Sequence, residues 1–309
     1  MNENLIDLLR INYGIDITLL ENNREGGSKS FIAVSRGERY LFKLVPDSFS
    51  KTIKQSLSVL NFLEENEFLS PKVVKTKSNQ SFFKTEVGKI GVLFYYIDGD
   101  EVAKVDRVED YSKIGELVGK LHKIMKEYPN ELIEQDKNYF IERYICQLKQ
   151  KCYEESKLST FIEYGNYLWE SVKNLPRGFC HGDLYLGNLL RDKNDTYYIL
   201  DFDTSSFAFP MYDIMMVCNR TDYFEFDESG FFKSQDAYEI FLKGYLKHCE
   251  LTPSEIKSFY YLIALYHFQL QATILEINGL DCINDDFIDN QLDWLLRWRN
   301  QCLDNVCDF

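Results

Sequence analysis

Hydrophobic and polar positions repeat along this chain with two periods, and the switch between them falls near residues 97–100. Upstream, Phe31–Val34 and Arg39–Val45 are runs rich in aromatic and β-branched residues, separated by Ser35-Arg36-Gly37-Glu38, which predicts a β-hairpin. A second hairpin is predicted over 82–87 and 90–96, where FFKTEV and IGVLFYY flank Gly88-Lys89. Between the two, Ile53, Leu57, Leu60 and Leu63 recur at the spacing of one helix face. With a helix expected before the first strand, this part reads helix, two strands, helix, two strands.

After Asp98-Gly99-Asp100 the period becomes helical. Ile114, Leu117, Val118, Leu121, Ile124 and Met125 share a face, and further helices are predicted at 138–155, at 158–174 and three times after residue 234. Pro253, two residues before Glu255, marks the start of one of them. A short β-type stretch, 178–203, interrupts the helical blocks. The expectation is an α+β protein: a small β-rich N-terminal lobe over 1–97 and a larger, mainly helical C-terminal lobe over 98–309.

Composition narrows the function. Apolar residues at 45% and aromatic residues at 15% are those of a folded chain, not a disordered one. A formal charge of −14 excludes a general nucleic-acid binder, because phosphate neutralisation needs clustered Lys and Arg. The start, MNENLIDLLRINYG, lacks the basic and apolar regions of a signal peptide, and no apolar run is long enough to span a bilayer, so a cytoplasmic protein without a membrane partner is expected. Eight cysteines without a C-x-x-C pair read as reduced thiols.

The chemistry sits in 178–203. His181-Gly182-Asp183 is followed by Asn188, a turn at Asp192–Asp195, the strand Tyr197-Tyr198-Ile199-Leu200, and Asp201-Phe202-Asp203. Kinases place a hydroxyl-orienting Asp five residues before a metal-binding Asn, with a further metal-binding Asp at a strand end. The reason is physical: a carboxylate orients the incoming hydroxyl, and hard oxygen ligands hold Mg2+ against the phosphates. Asp183 is the candidate catalytic residue, and Asn188 and Asp201 are the candidate metal ligands.

On these motifs the chain resembles the aminoglycoside phosphotransferase and choline kinase superfamily, over nearly its whole length. The resemblance implies a protein-kinase-like bilobal fold and transfer of the γ-phosphoryl of Mg-ATP, or of GTP, to a small-molecule hydroxyl. It implies that Asp213, in Pro210-Met211-Tyr212-Asp213-Ile214, steadies the catalytic loop and that His181 organises it, with His122 a core residue. The alternative it leaves is a non-catalytic, spore-coat-type member. A protein kinase is disfavoured, since no A-P-E segment is present and Asp213 follows Asp201 too closely for a long activation loop.

For the nucleotide, Lys43 at the end of Arg39-Tyr40-Leu41-Phe42-Lys43 is the expected phosphate ligand, and Gly26, Gly27 and Ser28 the phosphate-covering loop. Phe94–Ile97 is the expected hinge, with Tyr95 and Ile97 meeting the purine. The carboxylate that kinases place on the next helix is missing from Thr52-Ile53-Lys54-Gln55-Ser56-Leu57, which leaves Gln55, Glu64 or Glu65 to orient Lys43. Residues 211–309 hold 17 acidic and 7 basic side chains, including Asp222, Glu225, Asp227 and Glu228, so a cationic acceptor is one expectation beside neutral sugars and amino alcohols. Trp294, Trp298 and most of Tyr260, Tyr261, Leu265, Tyr266 and Phe268 are expected in the core.

Overall fold

The computed structural model describes residues 2–24, 28–104 and 107–306, and the chain forms two compact units. The first comprises Met1–Val105, Glu127–Asn130 and Leu186–Ser205, and the second Asp106–Lys126, Glu131–Tyr185 and Ser206–Phe309. The β-type stretch 178–203 is thus divided: its first part belongs with the helices and its second with the N-terminal sheet.

In the first unit α1 (Asn2–Tyr13) precedes β1 (Leu19–Arg24), β2 (Lys29–Ser35), β3 (Glu38–Val45), α2 (Ser50–Glu65), β4 (Phe83–Lys84) and β5 (Ile90–Tyr95). The strands form one five-stranded antiparallel sheet in the order β1-β2-β3-β5-β4. Alternation along β2 and β3 turns Phe31, Ala33, Phe42 and Leu44 to one face, where they bury with Leu9 and Tyr13 of α1. Lys43, between Phe42 and Leu44, therefore leaves from the opposite face. On α2, Ile53, Leu57, Leu60 and Leu63 are buried as their spacing predicts.

Two strands differ from expectation. β1 has no apolar pattern, because it is an edge strand held by backbone pairing from Leu19↔Val34 to Arg24↔Ser30, with a bulge between Asn22 and Arg24. β4 is shorter than 82–87 because the chain turns after Lys84: the Gly88 N–H donates to the Thr85 carbonyl (3.0 Å), with Gly88 at φ +82°. Beyond β5, β6 (Asp100–Glu101) prepares a second sheet of the same unit. After β7 (Gly178–Cys180) of the other unit, β8 (Leu189–Arg191) and β9 (Tyr197–Ile199) make a hairpin onto which β6 pairs.

The second unit contains α3 (Asp110–Met125), a π-helical turn Asn138–Glu142 leading into α4 (Arg143–Gln150), α5 (Glu155–Val172), the β7 pairing with β10 (Ser206–Ala208), α6 (Pro210–Cys218), α7 (Ser229–Tyr245), α8 (Pro253–Asn278) and α9 (Asp285–Asn305). The helix predicted over 138–155 stops at Gln150, where Cys152 takes φ +56° and the Tyr153 N–H reaches back to the Leu148 carbonyl (3.1 Å). α8 starts at a capping box in which Thr252 and Glu255 satisfy each other's backbone N–H, an arrangement that stabilises a helix start by about 1 kcal/mol. α3 and α7 approach through Gly115, Gly119 and Gly244. Trp294 and Trp298 are buried in the core. Among the described residues no helix is long and apolar enough to cross a membrane.

Candidate active site

Lys43 is the first candidate to gain a partner. β3 holds it between β2 and β5, opposite Ser30 and Val92, and its side chain, 13% exposed, meets two carboxylates. Its Nζ lies 2.9 Å from Asp201 Oδ1 and 2.5 Å from Asp203 Oδ2. Burial works to lower the Lys43 pKa, but the charges of Asp203 and Asp201 and their hydrogen bonds outweigh it and raise it, so the ammonium stays charged. Asp201 itself sits at φ +58°, a left-handed conformation that a non-glycine residue adopts at a cost on the order of 1 kcal/mol and that is characteristic of functional turns.

Asn188 is placed by strand register. It ends the 3-10 turn Leu186–Asn188, is buried, and its carbonyl accepts the Leu200 N–H (2.8 Å) just beyond the Leu189↔Ile199 pair. Asn188 and Asp201 are thus adjacent at the open end of the β8–β9 hairpin. Oxygen donors of this kind, one carboxylate and one amide, suit Mg2+, which keeps water and phosphate in its remaining positions. Among the described residues no group of three or more His, Cys, Asp or Glu is placed to hold a metal ion.

Other nucleotide candidates are less defined. Gly26 and Gly27 lie outside the described residues; Ser28 forms a bend leading into β2. Tyr95 ends β5 with its side chain 53% exposed and its ring 6.0 Å from that of Tyr40. Its N–H donates to the Lys72 carbonyl (3.0 Å), and the Tyr96 N–H to the Arg39 carbonyl (3.3 Å). Ile97 follows, half-buried. Of the residues expected to orient Lys43, two have partners elsewhere, and a carboxylate outside that set meets the ammonium. Gln55 Nε2 donates to the Ser205 carbonyl (2.5 Å), Glu64 pairs with Lys72 at 3.7 Å, and Asp203 lies against Lys43.

In the second unit Asp183 follows β7 and its loop hangs from one buried carboxylate. Asp213, in the first turn of α6, is fully buried; its Oδ2 accepts the His181 N–H (2.6 Å) and its Oδ1 the Gly182 N–H (2.9 Å). The Cys180 thiol lies 3.2 Å from Oδ1. His122 Nε2 is 3.1 Å from Oδ2, and its Nδ1 is 2.9 Å from the Tyr245 hydroxyl. Burial alone would raise the Asp213 carboxyl, but the His122 hydrogen bond and charge, His181 and the Gly182 N–H hold it below the ordinary value. Gly182 turns at φ +82°, and the Asp183 N–H donates to Nδ1 of buried His181 (3.3 Å). Asp213 thus fixes the backbone that carries Asp183.

Tyr139 and Tyr266 are neighbours of Asp183. Burial, then the Asp183 charge, pushes the Tyr266 phenol up to about 12, and burial chiefly raises that of Tyr139, with Asp183 adding to it. The acidic run after Asp213 is used locally: Asp222 accepts the backbone N–H groups of Phe224 and Glu225, and Asp227 accepts the Ser229 N–H and the Lys233 ammonium. Three links escaped the sequence reading: Asp203 to Lys43, Ser56 to Asp203, and Asp213 through His122 to Tyr245. Only the absence of a carboxylate between Thr52 and Leu57 of α2 hinted at the first.

The fold is that of the protein-kinase-like small-molecule kinases. An amicoumacin kinase solved with AMP-PNP and Ca2+ aligns with a TM-score of 0.77 at 16% identity, covering 97% of this chain and 93% of that one. A microcompartment-associated aminopropanol kinase gives 0.75 at 15% identity, covering 98% of both chains, and choline kinase from Cryptosporidium parvum Iowa II gives 0.67 at 16%, covering 98% and 97%. No curated protein sequence matches significantly. The phosphotransferase enzyme family matches residues 20–249, well over half the sequence, and the chain belongs to that family.

Proposed function

We propose that this protein is a small-molecule kinase that transfers the γ-phosphoryl group of ATP or GTP to a hydroxyl. The observation that carries this reading is the Lys43–Asp201 ion pair at 2.9 Å, which unites a strand lysine and a strand-end aspartate 158 residues apart. Lys43 is then the ligand of the α- and β-phosphates, with Gly26, Gly27 and Ser28 covering them. The Tyr95 carbonyl and Ile97 N–H read the purine edge, since the Tyr95 and Tyr96 N–H groups are committed to Lys72 and Arg39. Asn188 and Asp201 hold Mg2+, which supplies charge neutralisation along the phosphates when bound. Residues 1–97 act as the nucleotide lobe and 98–309 as the acceptor lobe.

Asp183 orients the acceptor hydroxyl and accepts its proton as the oxygen forms its bond to the γ-phosphorus and the bond to the β-bridging oxygen breaks, releasing the nucleoside diphosphate. Asp213 keeps the Asp183 loop in place through the His181 and Gly182 N–H groups. Tyr139 and Tyr266 beside Asp183 offer aromatic faces near one carboxylate, an environment suited to an amino alcohol or amino sugar.

The test is diphosphate release with ATP and GTP across amino sugars, amino alcohols, neutral sugars and macrolides, beside thermal shifts. Triphosphate with Mg2+ should raise the melting temperature, and Asp201→Ala should remove the metal-dependent part. No shift with either triphosphate would end the nucleotide assignment. Binding without transfer to any acceptor would favour a non-catalytic member.

A further inference from the structure

We infer that Asp203 is the positioning residue for Lys43, doing from the strand-end turn what protein kinases do with a carboxylate on the following helix. The inference rests on the kinase reading. Between Thr52 and Leu57, α2 carries no acidic residue. Asp203 instead places Oδ2 2.5 Å from Lys43 Nζ, closer than Asp201 at 2.9 Å, with its side chain 28% exposed against 38% for Asp201.

The other oxygen of Asp203 turns to the helix. Ser56 Oγ donates to Oδ1 (3.3 Å), and one residue earlier Gln55 Nε2 donates to the Ser205 carbonyl (2.5 Å), so α2 holds the turn Phe202–Thr204 at its middle residue and at the residue that follows it. The helix is therefore tied to Lys43 through Ser56 and Asp203, by a neutral hydrogen bond followed by an ion pair. This divides the work between the two aspartates. Asp201 is the hard oxygen ligand suited to the cation, and a carboxylate given to a cation gives up much of its hold on an ammonium. Asp203, anchored on α2, keeps Lys43 extended toward the phosphates when Asp201 is engaged.

The experiment compares the parent with Asp203→Asn, Asp203→Glu, Ser56→Ala, Lys43→Ala and the Lys43→Ala/Asp203→Asn double variant. Dissociation constants for a fluorescent triphosphate are measured with excess Mg2+ and with EDTA, together with the half-saturating Mg2+ concentration, kcat and KM. Asp203→Asn should weaken triphosphate binding in EDTA and lower kcat/KM roughly tenfold to a hundredfold, the range expected when a phosphate ligand is misplaced by about 1 Å. The half-saturating Mg2+ concentration should not change. Asp203→Glu should recover much of the loss, Ser56→Ala should show a several-fold loss of the same kind, and the double variant should match Lys43→Ala.

A rise in half-saturating Mg2+ would make Asp203 a metal ligand and overturn the inference, as would an equal loss from Asp203→Asn in the Lys43→Ala background. Should Asp203→Asn fail to fold, Ser56→Ala still decides, since it leaves both carboxylates in place; parent-like binding and turnover in it would overturn the tie to α2. A parent that binds no triphosphate would remove the kinase reading and this inference with it. A parent that binds, beside an Asp203→Asn variant identical to it, would remove this inference alone.

Discussion

Replacing Asp213 with asparagine keeps the shape of the side chain and removes its charge, at a residue whose two oxygens serve the His181 N–H, the Gly182 N–H, the Cys180 thiol and His122. The amide keeps one acceptor oxygen; in place of the other stands an NH2 facing donors. Charged hydrogen bonds contribute about 1.5–3 kcal/mol each, and an orphaned buried donor costs about 1–3 kcal/mol. One of each gives a loss of roughly 3–5 kcal/mol, the range for breaking a buried charge pair. At about 2–4 °C per kcal/mol, the melting temperature should fall by on the order of 10 °C. The pH dependence has a definite sign. The folded pKa of Asp213 lies below its unfolded value, so its stabilisation is fully present above about pH 3.9 and fades as the pH falls through the lower folded value. Melts by circular dichroism at pH 7 and pH 3 should therefore show a gap between parent and variant that narrows in acid. A variant melting within about 2 °C of the parent at pH 7, or a gap unchanged at pH 3, would refute this account of the loop.

Gly244→Ala would place a Cβ 1.8 Å from the Ser112 carbonyl oxygen, backbone that cannot step aside, so urea midpoints should report a loss of about 3 kcal/mol or more as α3 and α7 are forced apart. His267 is enclosed between the rings of Trp294 (3.6 Å) and Tyr223 (4.7 Å), and burial lowers its pKa to about 3, with the Gln291 hydrogen bond opposing. Its unfolded form takes a proton below about pH 6.5, so the parent should lose about 2 kcal/mol from this group between pH 7 and pH 5. His267→Phe should remove that part of the pH dependence, measurable as a smaller difference between urea midpoints at the two pH values.

The candidate site residues were singled out in the sequence where local chemistry dictates both residue type and spacing. Asp183, Asn188 and Asp201 stood out because their spacing is set by one loop and one hairpin, and Lys43 because alternation in β3 fixes which face it leaves from. The apolar faces of α2, α3 and α8 were equally plain. β1 was invisible, since a polar edge strand is held by backbone pairing and needs no hydrophobic alternation. The partners of Lys43 and Asp213 were hidden for a different reason: Asp203 lies 160 residues from Lys43, and His122 lies 91 from Asp213. A hydrogen bond across such a separation leaves no period to read. The division of 178–203 after Tyr185 was also hidden, because strand propensity says nothing about which unit a strand packs with.

Asp183→Asn bears most directly on the proposed chemistry, because it removes the proton-accepting charge and leaves Lys43, Asn188 and Asp201 intact. Triphosphate and Mg2+ should bind within a few-fold of the parent, while phosphoryl transfer to an acceptor the parent uses should fall by roughly 10²–10⁴-fold, the size of a general-base contribution. Binding and single-turnover transfer should be measured on the same preparations. Retained binding with lost transfer is the result this account predicts, and a transfer rate equal to that of the parent would contradict it.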